Sequence, residues 1–381
     1  MNLELTDDQS MIRDAVRDFA RGVVVPCADE IDRHNQFPAD LVRQAAELDL
    51  LGIVVPAEYG GAGLDHLCFA LFVEEIAAVS GTLAVILDVH TSVGTEPILY
   101  FGSEAQKQKY LPPMARGEKL GAFALTEPDA GSDAASLKAS AVRHNGGFVL
   151  NGVKTFITNM GVADVYIVMA RLGDAPGVRG ISAFIVEKGM PGLGFGEPMH
   201  KMGLRGSPTG ELILEDVQVP SENLLGQEGD GFKIAMQALD SGRIGISAQA
   251  VGLARGALDT AVAYAQQRRQ FGKPISSFEG IQFMVADMAT AIDAARLMTW
   301  EAAGACDRGE PFTHLAAMAK LMSTDTAMQV TTDAVQILGG YGYIKEFPVE
   351  RYMRDAKATQ IYEGTNQIQR VVIARQLLKR D

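Results

Sequence analysis

A chain of 381 residues exceeds what a single compact core organises, so two or three domains are expected. Its 47% apolar and 21% charged residues are ordinary for a globular protein, and a net charge of −13 with no block of Lys and Arg excludes nucleic acid as a partner. Cys27, Cys68 and Cys306 are isolated and the six histidines are dispersed, which excludes a disulfide framework and a zinc centre, so no metal is expected.

The N-terminal stretch Met1 to Asp8 is acidic and lacks an apolar core segment, so it does not read as a signal peptide. No apolar run reaches membrane-spanning length, no membrane insertion is expected, and a reducing, cytoplasmic setting follows. Thr6-x-x-Gln9 reads as a capping box opening a helix through Met11, Ile12, Ala15, Val16 and Phe19. A second helix should begin near Pro38 and stop before Gly52, a loop should span Tyr59 to Gly63, and Leu64 to Val79 should be helical. Ser103-x-x-Gln106 is another capping box. Between Arg43 and Lys107 there is no Lys or Arg, so any pocket wall drawn from this region offers only acids and apolar groups. Residues 1–120 read as an N-terminal α domain.

From Gly121 the texture turns to short β-rich bursts. Gly147 to Leu150 and Thr155 to Thr158 flank Asn151-Gly152, which predicts a hairpin there. Val165 to Met169, Ile181 to Val186 and Leu212 to Val219 continue the pattern, giving a middle β domain over 121–228. Long helical periodicity returns from Gly231, with helices expected over Phe232 to Arg268, Phe278 to Asp307, Phe312 to Leu338 and Thr365 to Leu378. These form a C-terminal four-helix bundle over 229–381, its core expected at Met284, Met288, Met298, Met318, Met322 and Met328. The fold class is α+β.

Nucleotide and hydrolase motifs are missing. No Gly-x-Gly-x-x-Gly follows a strand, the Gly147/Gly152 spacing is interrupted by Val153 before Lys154-Thr155, and no Gly-x-Ser-x-Gly elbow occurs. Four segments are chemically dense instead. Leu125 to Asp133 is rich in hydroxyls and turn formers, which alone is a polar loop. Arg268 to Pro274 is a basic break between helices, which alone is a solvated helix end. Gln336 to Gly342 is a Gly-rich helix terminus. In Gln360 to Arg370, Glu363 precedes a helix start at which Thr365 is a good N-cap, and a carboxylate there is by itself only a favourable dipole contact.

Together and in this order, these segments resemble the acyl-CoA dehydrogenase family over essentially the whole chain, including the α, β, α order of domains. The matching stretches are Ala124 to Pro128 with Gly131-Ser132-Asp133, Phe156 to Asn159, Arg268 to Gly272, Gln336 to Gly340 and Ile361 to Arg370. The Leu239 to Ile246 segment looks most like the short-chain, butyryl-CoA type. The resemblance implies FAD, with Phe123, Leu125, Thr126, Gly131, Ser132, Phe156, Ile157 and Thr158 around the flavin ring. It implies Arg268, Phe271, Glu279, Gln336, Gly339, Gly340, Thr365 and Gln367 at the rest of the cofactor, partly across a subunit boundary of a homotetramer. Many relatives have Trp where Phe156 stands, and often Gln where Glu279 stands.

By the same resemblance Glu363 is the base that takes the α-proton of an acyl-CoA thioester while the β-hydride passes to the flavin. Its backbone N–H would polarise the thioester oxygen. Ser132, Asp240, Arg243, Tyr362 and Gly364 are implied substrate contacts. Some relatives carry the base beside the position of Arg243, where this chain has Gly242. Electrons would go to an electron-transfer flavoprotein. The alternatives are a short branched-chain acyl-CoA dehydrogenase, an acyl-CoA oxidase of the same fold and, from another class, a helical CoA-binding scaffold. Relatives that take dicarboxylyl-CoAs place an arginine at the pocket floor, whereas Leu83 to Phe101 here contains no Arg or Lys and two acids, Asp88 and Glu96. Short, uncharged acyl groups are therefore expected, with glutaryl-CoA a poor substrate.

Overall fold

The computed structural model describes residues 4–378; the expected chain limits at 1 and 381 lie outside them. The capping box at Thr6 forms as expected, with Gln9 N donating to Thr6 Oγ1 at 3.2 Å and Thr6 N to Gln9 Oε1 at 3.0 Å. It opens α1 (Asp7–Phe19), which continues through a π-helical turn into α2 (Val25–His34). There follow α3 (Ala39–Glu47), α4 (His66–Ala77), α5 (Gly81–Asp88), a π-helical turn (Val89–Thr95), α6 (Glu96–Phe101) and α7 (Glu104–Ala115). Ser103 and Gln106 form the second capping box, at the start of α7. Helices α4 and α5 are mostly apolar and, apart from Leu67, buried, because they lie between the outer helices and the rest of the molecule; the polar groups they carry inward are His66, Glu74, Glu75, Thr82 and Asp88.

The strands are β1 (Gly121–Ala124), β2 (Ser140–His144), β3 (Gly147–Thr158), β4 (Val165–Leu172), β5 (Ile181–Glu187), β6 (Leu193–Phe195), β7 (Thr209–Pro220) and β8 (Leu224–Leu225). They make one eight-stranded sheet in the order β6-β7-β3-β2-β4-β5-β8, with β1 pairing in parallel with β4. The hairpin predicted at Asn151-Gly152 does not form, because β3 runs straight through it. The register against β7 shifts between Leu150 and Gly152, and a Cβ at Gly152 would come within 2.7 Å of that of Ala139. Glycine is needed there for a bulge and a close approach. The turn sits one step earlier, where Asn145 (φ 48°) and Gly146 (φ 79°) join β2 to β3 in left-handed conformations.

Helix α8 (Gly231–Gln267) is the spine of the molecule. Its N-terminal half is buried from Asp240 to Ala254 and reaches the β domain and α4 to α5, while its C-terminal half packs in the bundle. A two-residue ribbon, β9 (Arg269–Gln270) with β10 (Lys273–Pro274), links it to α9 (Glu279–Asp307); α10 (Thr313–Leu338), α11 (Val349–Thr359) and α12 (Asn366–Leu377) complete the chain. Sequence periodicity missed α11, which enters through Pro348 and carries an ion-pair face, Arg351 and Arg354 meeting Asp29 and Asp32 of α2. The methionine core is also corrected: of the six expected, only Met288 is buried. Alanines such as Ala295, Ala302, Ala316, Ala319, Ala327 and Ala334 line the seams, since close helix approach leaves room for methyl groups and pushes longer side chains to the rim.

Candidate active site

The loop joining α11 to α12 presents the carboxylate singled out by sequence. Thr365 caps α12 as expected, accepting from Ile368 N at 3.3 Å. Just before it the backbone turns through two left-handed residues, Glu363 (φ 51°) and Gly364 (φ 90°). A non-glycine residue in that region is strained, and it persists only where the surroundings over-determine it. Three side chains do so here. Arg243 Nε donates to Glu363 O at 3.3 Å, Gln369 Nε2 to Glu363 O at 3.2 Å and Gly364 O at 2.8 Å, and Lys320 Nζ to Gly364 O and Asn366 Oδ1, each at 2.9 Å.

This clamp turns the Glu363 side chain onto α8 at Gly242. A Cβ at Gly242 would lie 2.7 Å from Glu363 Cδ, so any side chain there would displace the carboxylate from this position. Glu363 Oε2 is buried and accepts no hydrogen bond. Burial pushes the carboxyl up to about 8, against the downward pull of the charges on Arg243 and Lys320. Burial in turn brings Lys320 down to about 7, opposed by the charge of Glu363. A group of this kind is a proton acceptor poised near neutrality and free of competing partners.

Asp240 and Arg243 lie beneath the loop and are themselves buried. Arg243 Nη1 donates to Asp240 Oδ1 at 2.6 Å, and Thr313 Oγ1 to Asp240 Oδ2 at 2.6 Å. Arg243, braced by Asp240, holds the Glu363 carbonyl from inside the protein. The Tyr362 hydroxyl donates to Gln249 Oε1, and its ring packs with Phe123 on an apolar cluster of Val85, Val89, Val93, Leu204 and Ala238.

The expected flavin-ring residues converge at the ends of β1 and β3. Phe123 and Thr126 are half-buried, Leu125 is buried, and Gly131 and Ser132 are exposed. Phe156 is left-handed (φ 57°) and 66% exposed at a second register shift in β3, between Lys154 and Ile157, which throws its ring outward. Thr158 is half-buried, whereas the Ile157 side chain is in the core, so only its backbone can meet a ligand. Sequence reasoning missed the device that fixes this loop, the buried pair Glu127–Lys154. Lys154 Nζ donates to Glu127 Oε1 at 2.8 Å and to Leu125 O at 3.1 Å, while the N–H groups of Lys138 and Ala139 reach the same carboxylate at 2.6 and 2.8 Å. Thr155 N then donates to Thr126 O at 2.9 Å. The signal was a lysine in the middle of an otherwise β-rich run.

A separate groove of about 450 Å³ gathers Arg268, Gly339 and Gly340 with Tyr264 and Tyr341 between the end of α8 and the end of α10. The Arg268 guanidinium lies 5.5 Å from the Tyr341 ring centroid. Gln336 is exposed on the last turn of α10; Phe271, 93% exposed, lies in the turn between β9 and β10, Glu279 is exposed at the start of α9, and none of the three lines the groove. Thr365 is half-buried at its cap and Gln367 exposed on α12. The lining of the Arg268 groove includes neither Glu363 nor Arg243, Lys320 and Gln369, which clamp its loop. Among the described residues no group of His, Cys, Asp and Glu could hold a metal ion, and no helix is long and apolar enough to cross a membrane.

Comparison with known proteins places these features. Residues 6–118 match the N-terminal domain of acyl-CoA dehydrogenases, 122–217 the middle domain and 229–378 the C-terminal domain. The chain is 48% identical to the short-chain specific acyl-CoA dehydrogenase of Clostridium acetobutylicum, over all of both chains. Among solved structures it is similar to the butyryl-CoA dehydrogenase of Megasphaera elsdenii (TM-score 0.98, 47% identity, all of both chains). It is similar also to a chain from the structure of the electron transferring flavoprotein of Acidaminococcus fermentans (TM-score 0.99, 52% identity, all of both chains).

Proposed function

The chain belongs to the acyl-CoA dehydrogenase family, and we propose that it is a short-chain acyl-CoA dehydrogenase in which Glu363 is the catalytic base. It carries out FAD-dependent dehydrogenation of an acyl-CoA. The observation that carries the assignment of the base is the Glu363 carboxylate, seated against Gly242 with Oε2 buried and unpartnered.

The residues present fit FAD. An anionic pyrophosphate and a flat adenine suit a groove of one arginine, two glycines and two tyrosines, and the outward face of Phe156 suits a planar ring. Arg268, Gly339 and Gly340 would hold the nucleotide end, with Phe271, Glu279, Gln336 and Gln367 beside it. Phe123, Leu125, Thr126, Gly131, Ser132, Phe156, Ile157 and Thr158 would hold the ring end, with Thr365. When bound, FAD supplies the acceptor for the hydride that leaves the β-carbon.

The chain's own part is the proton. Glu363 takes it from the α-carbon, which is acidic only while the thioester oxygen is stabilised; the Glu363 backbone N–H is the donor the chain offers for that purpose. The carboxylate must be ionised to act, and the charges on Arg243 and Lys320 favour that form without occupying Oε2. Tyr362 and Gly364 flank the acyl group and Ser132 the thioester side. Asp240 and Arg243, buried beneath the loop, serve by holding it in place.

The lining of the nucleotide groove includes neither Glu363 nor the residues that clamp its loop. That supports an FAD site completed by a second copy of the chain, in a homotetramer. An electron-transfer flavoprotein is the proposed electron acceptor and the cytoplasm the proposed location. Anaerobic bleaching of the bound flavin by butyryl-CoA tests the reading. Wild-type protein should bleach and Glu363→Gln should bind butyryl-CoA without bleaching, whereas a variant that bleaches at the wild-type rate would place the base elsewhere. Hydrogen peroxide formed in step with substrate loss in air would instead identify an oxidase.

A further inference from the structure

We propose that Asp88 closes the far end of the acyl pocket and sets its length, stopping acyl chains longer than butyryl by its bulk. This rests on the reading of Glu363 as the base. The order of residues along α8 carries it. Asp240 and Arg243 lie at the base of the Glu363 loop, Gly242 receives the Glu363 carboxylate, and one turn further Gly245 receives that of Asp88. A Cβ at Gly245 would lie 2.6 Å from Asp88 Cγ. Gly242 and Gly245 share a face of the helix and are separated by about 4.5 Å along its axis, the reach of a butyryl-sized tail. Two glycines thus make two recesses, one for the base and one for a second carboxyl beyond it.

Asp88 is fully buried at the end of α5, one turn after Val85 and next to Val89 in the apolar cluster that meets Phe123 and Tyr362. Its Oδ1 is reached by Ser92 Oγ at 3.0 Å, and Oδ2 has no partner. Phe69 of α4 and Gly245 of α8 pack near it without offering a charge. The charged groups that act on it are Glu363 and Glu96, both acids, and burial with the charge of Glu363 holds its carboxyl well above the usual range. Glu96 itself faces His66 of α4, at 3.3 Å. The Tyr362 hydroxyl is committed to Gln249. Burial therefore favours the neutral form of Asp88, and no Lys, Arg or His is bonded to it, so a carboxylate-ended acyl group reaching it would find no cation there whether or not Asp88 is present.

The test compares flavin-loaded wild-type protein, Asp88→Ala and Asp88→Asn. In each, kcat/KM for anaerobic flavin reduction is measured with butyryl-, hexanoyl- and glutaryl-CoA. Asp88→Ala should raise the hexanoyl-to-butyryl ratio by about tenfold or more, as removal of a steric stop does. Asp88→Asn, similar in shape, should keep that ratio within about twofold of wild type, and glutaryl-CoA should stay poor in all three. The same shift should appear in Kd ratios measured by calorimetry in the Glu363→Gln background, where turnover does not contribute. If Asp88→Ala loses flavin, Asp88→Ser takes its place with the same expectation. An unchanged hexanoyl-to-butyryl ratio in the small variant, or an equal change in Asp88→Asn, overturns the proposal. Wild-type protein that no acyl-CoA bleaches would overturn the dehydrogenase reading instead.

Discussion

Two pairs of buried acids lie against α8, and they have opposite surroundings. Glu74 and Glu75, from α4, meet the C-terminal half of the helix among three arginines. Arg255 and Arg17 hold Glu75, both at 2.8 Å, and Arg296 reaches Glu74 at 3.1 Å. Burial pushes Glu75 up, but the hydrogen bonds from Arg255 and Arg17 outweigh it and keep the carboxyl below its usual range. Asp88 and Glu363 meet the N-terminal half against glycines, each with one oxygen unpartnered, and both carboxyls are raised. Burial is common to the two pairs; what differs is whether a cation is bonded to the carboxylate itself. Arg243 and Lys320 sit close enough to Glu363 to favour its charge, yet they spend their hydrogen bonds on backbone carbonyls, Asp240 and Asn366 and leave its acceptor free. The first pair ties domains together, and the second keeps an acid available for chemistry.

Breaking the paired side should cost stability. Arg255→Met leaves Glu75 with Arg17 alone and Glu74 with Arg296 alone, and should destabilise the protein by about 3 kcal/mol. A fall in the urea midpoint checks this, and the flavin-reduction rate of the folded fraction should be unchanged. Filling a recess on the unpaired side should act in the opposite sense. Gly242→Ala places a methyl group against the Glu363 carboxylate and should slow flavin reduction by butyryl-CoA about 10²-fold, the scale of an ångström-sized misplacement, with little change in the urea midpoint. Per unit of pH the effect is smaller still. Because the base must be ionised and its carboxyl is raised to about 8, kcat/KM should rise with pH through the neutral range and level off above about 8. Below that point the rate should fall about tenfold per pH unit. A profile flat from pH 6 to 9 would mean that Glu363 titrates far lower than its burial dictates.

How much of this was legible in the sequence depended on whether the determinant was local. The capping boxes at Thr6–Gln9 and Ser103–Gln106, and the Thr365 cap beside Glu363, are set within four residues, and they formed as read. Asn-Gly occurs twice, at 145–146 and 151–152, with the same intrinsic turn preference. Close approach of Ala139 at Gly152 makes the second a bulge, which no local pattern records. The bundle core was misread for a similar reason, since helical periodicity identifies a buried face but not the spacing between helices that selects alanine over methionine. At the site, Glu363 was reached through the resemblance, because a lone Glu before an N-cap has no distinctive chemistry. The partners that give it some, Gly242, Lys320 and Asp88, lie far away along the chain and converge only when α8, α10 and α5 pack. Glu127–Lys154 is likewise a tertiary pairing between a loop and a strand.

The central claim is that the unpartnered carboxylate of Glu363 removes the α-proton. Exchange of α-hydrogen in D₂O isolates that step from hydride transfer. Flavin-loaded protein is incubated anaerobically with excess butyryl-CoA, and deuterium at the α-carbon is followed by mass spectrometry, with binding of butyryl-CoA measured alongside. Wild-type protein should incorporate α-deuterium, whereas Glu363→Gln, still binding butyryl-CoA, should exchange no faster than buffer alone. Exchange by Glu363→Gln at the wild-type rate would contradict the account.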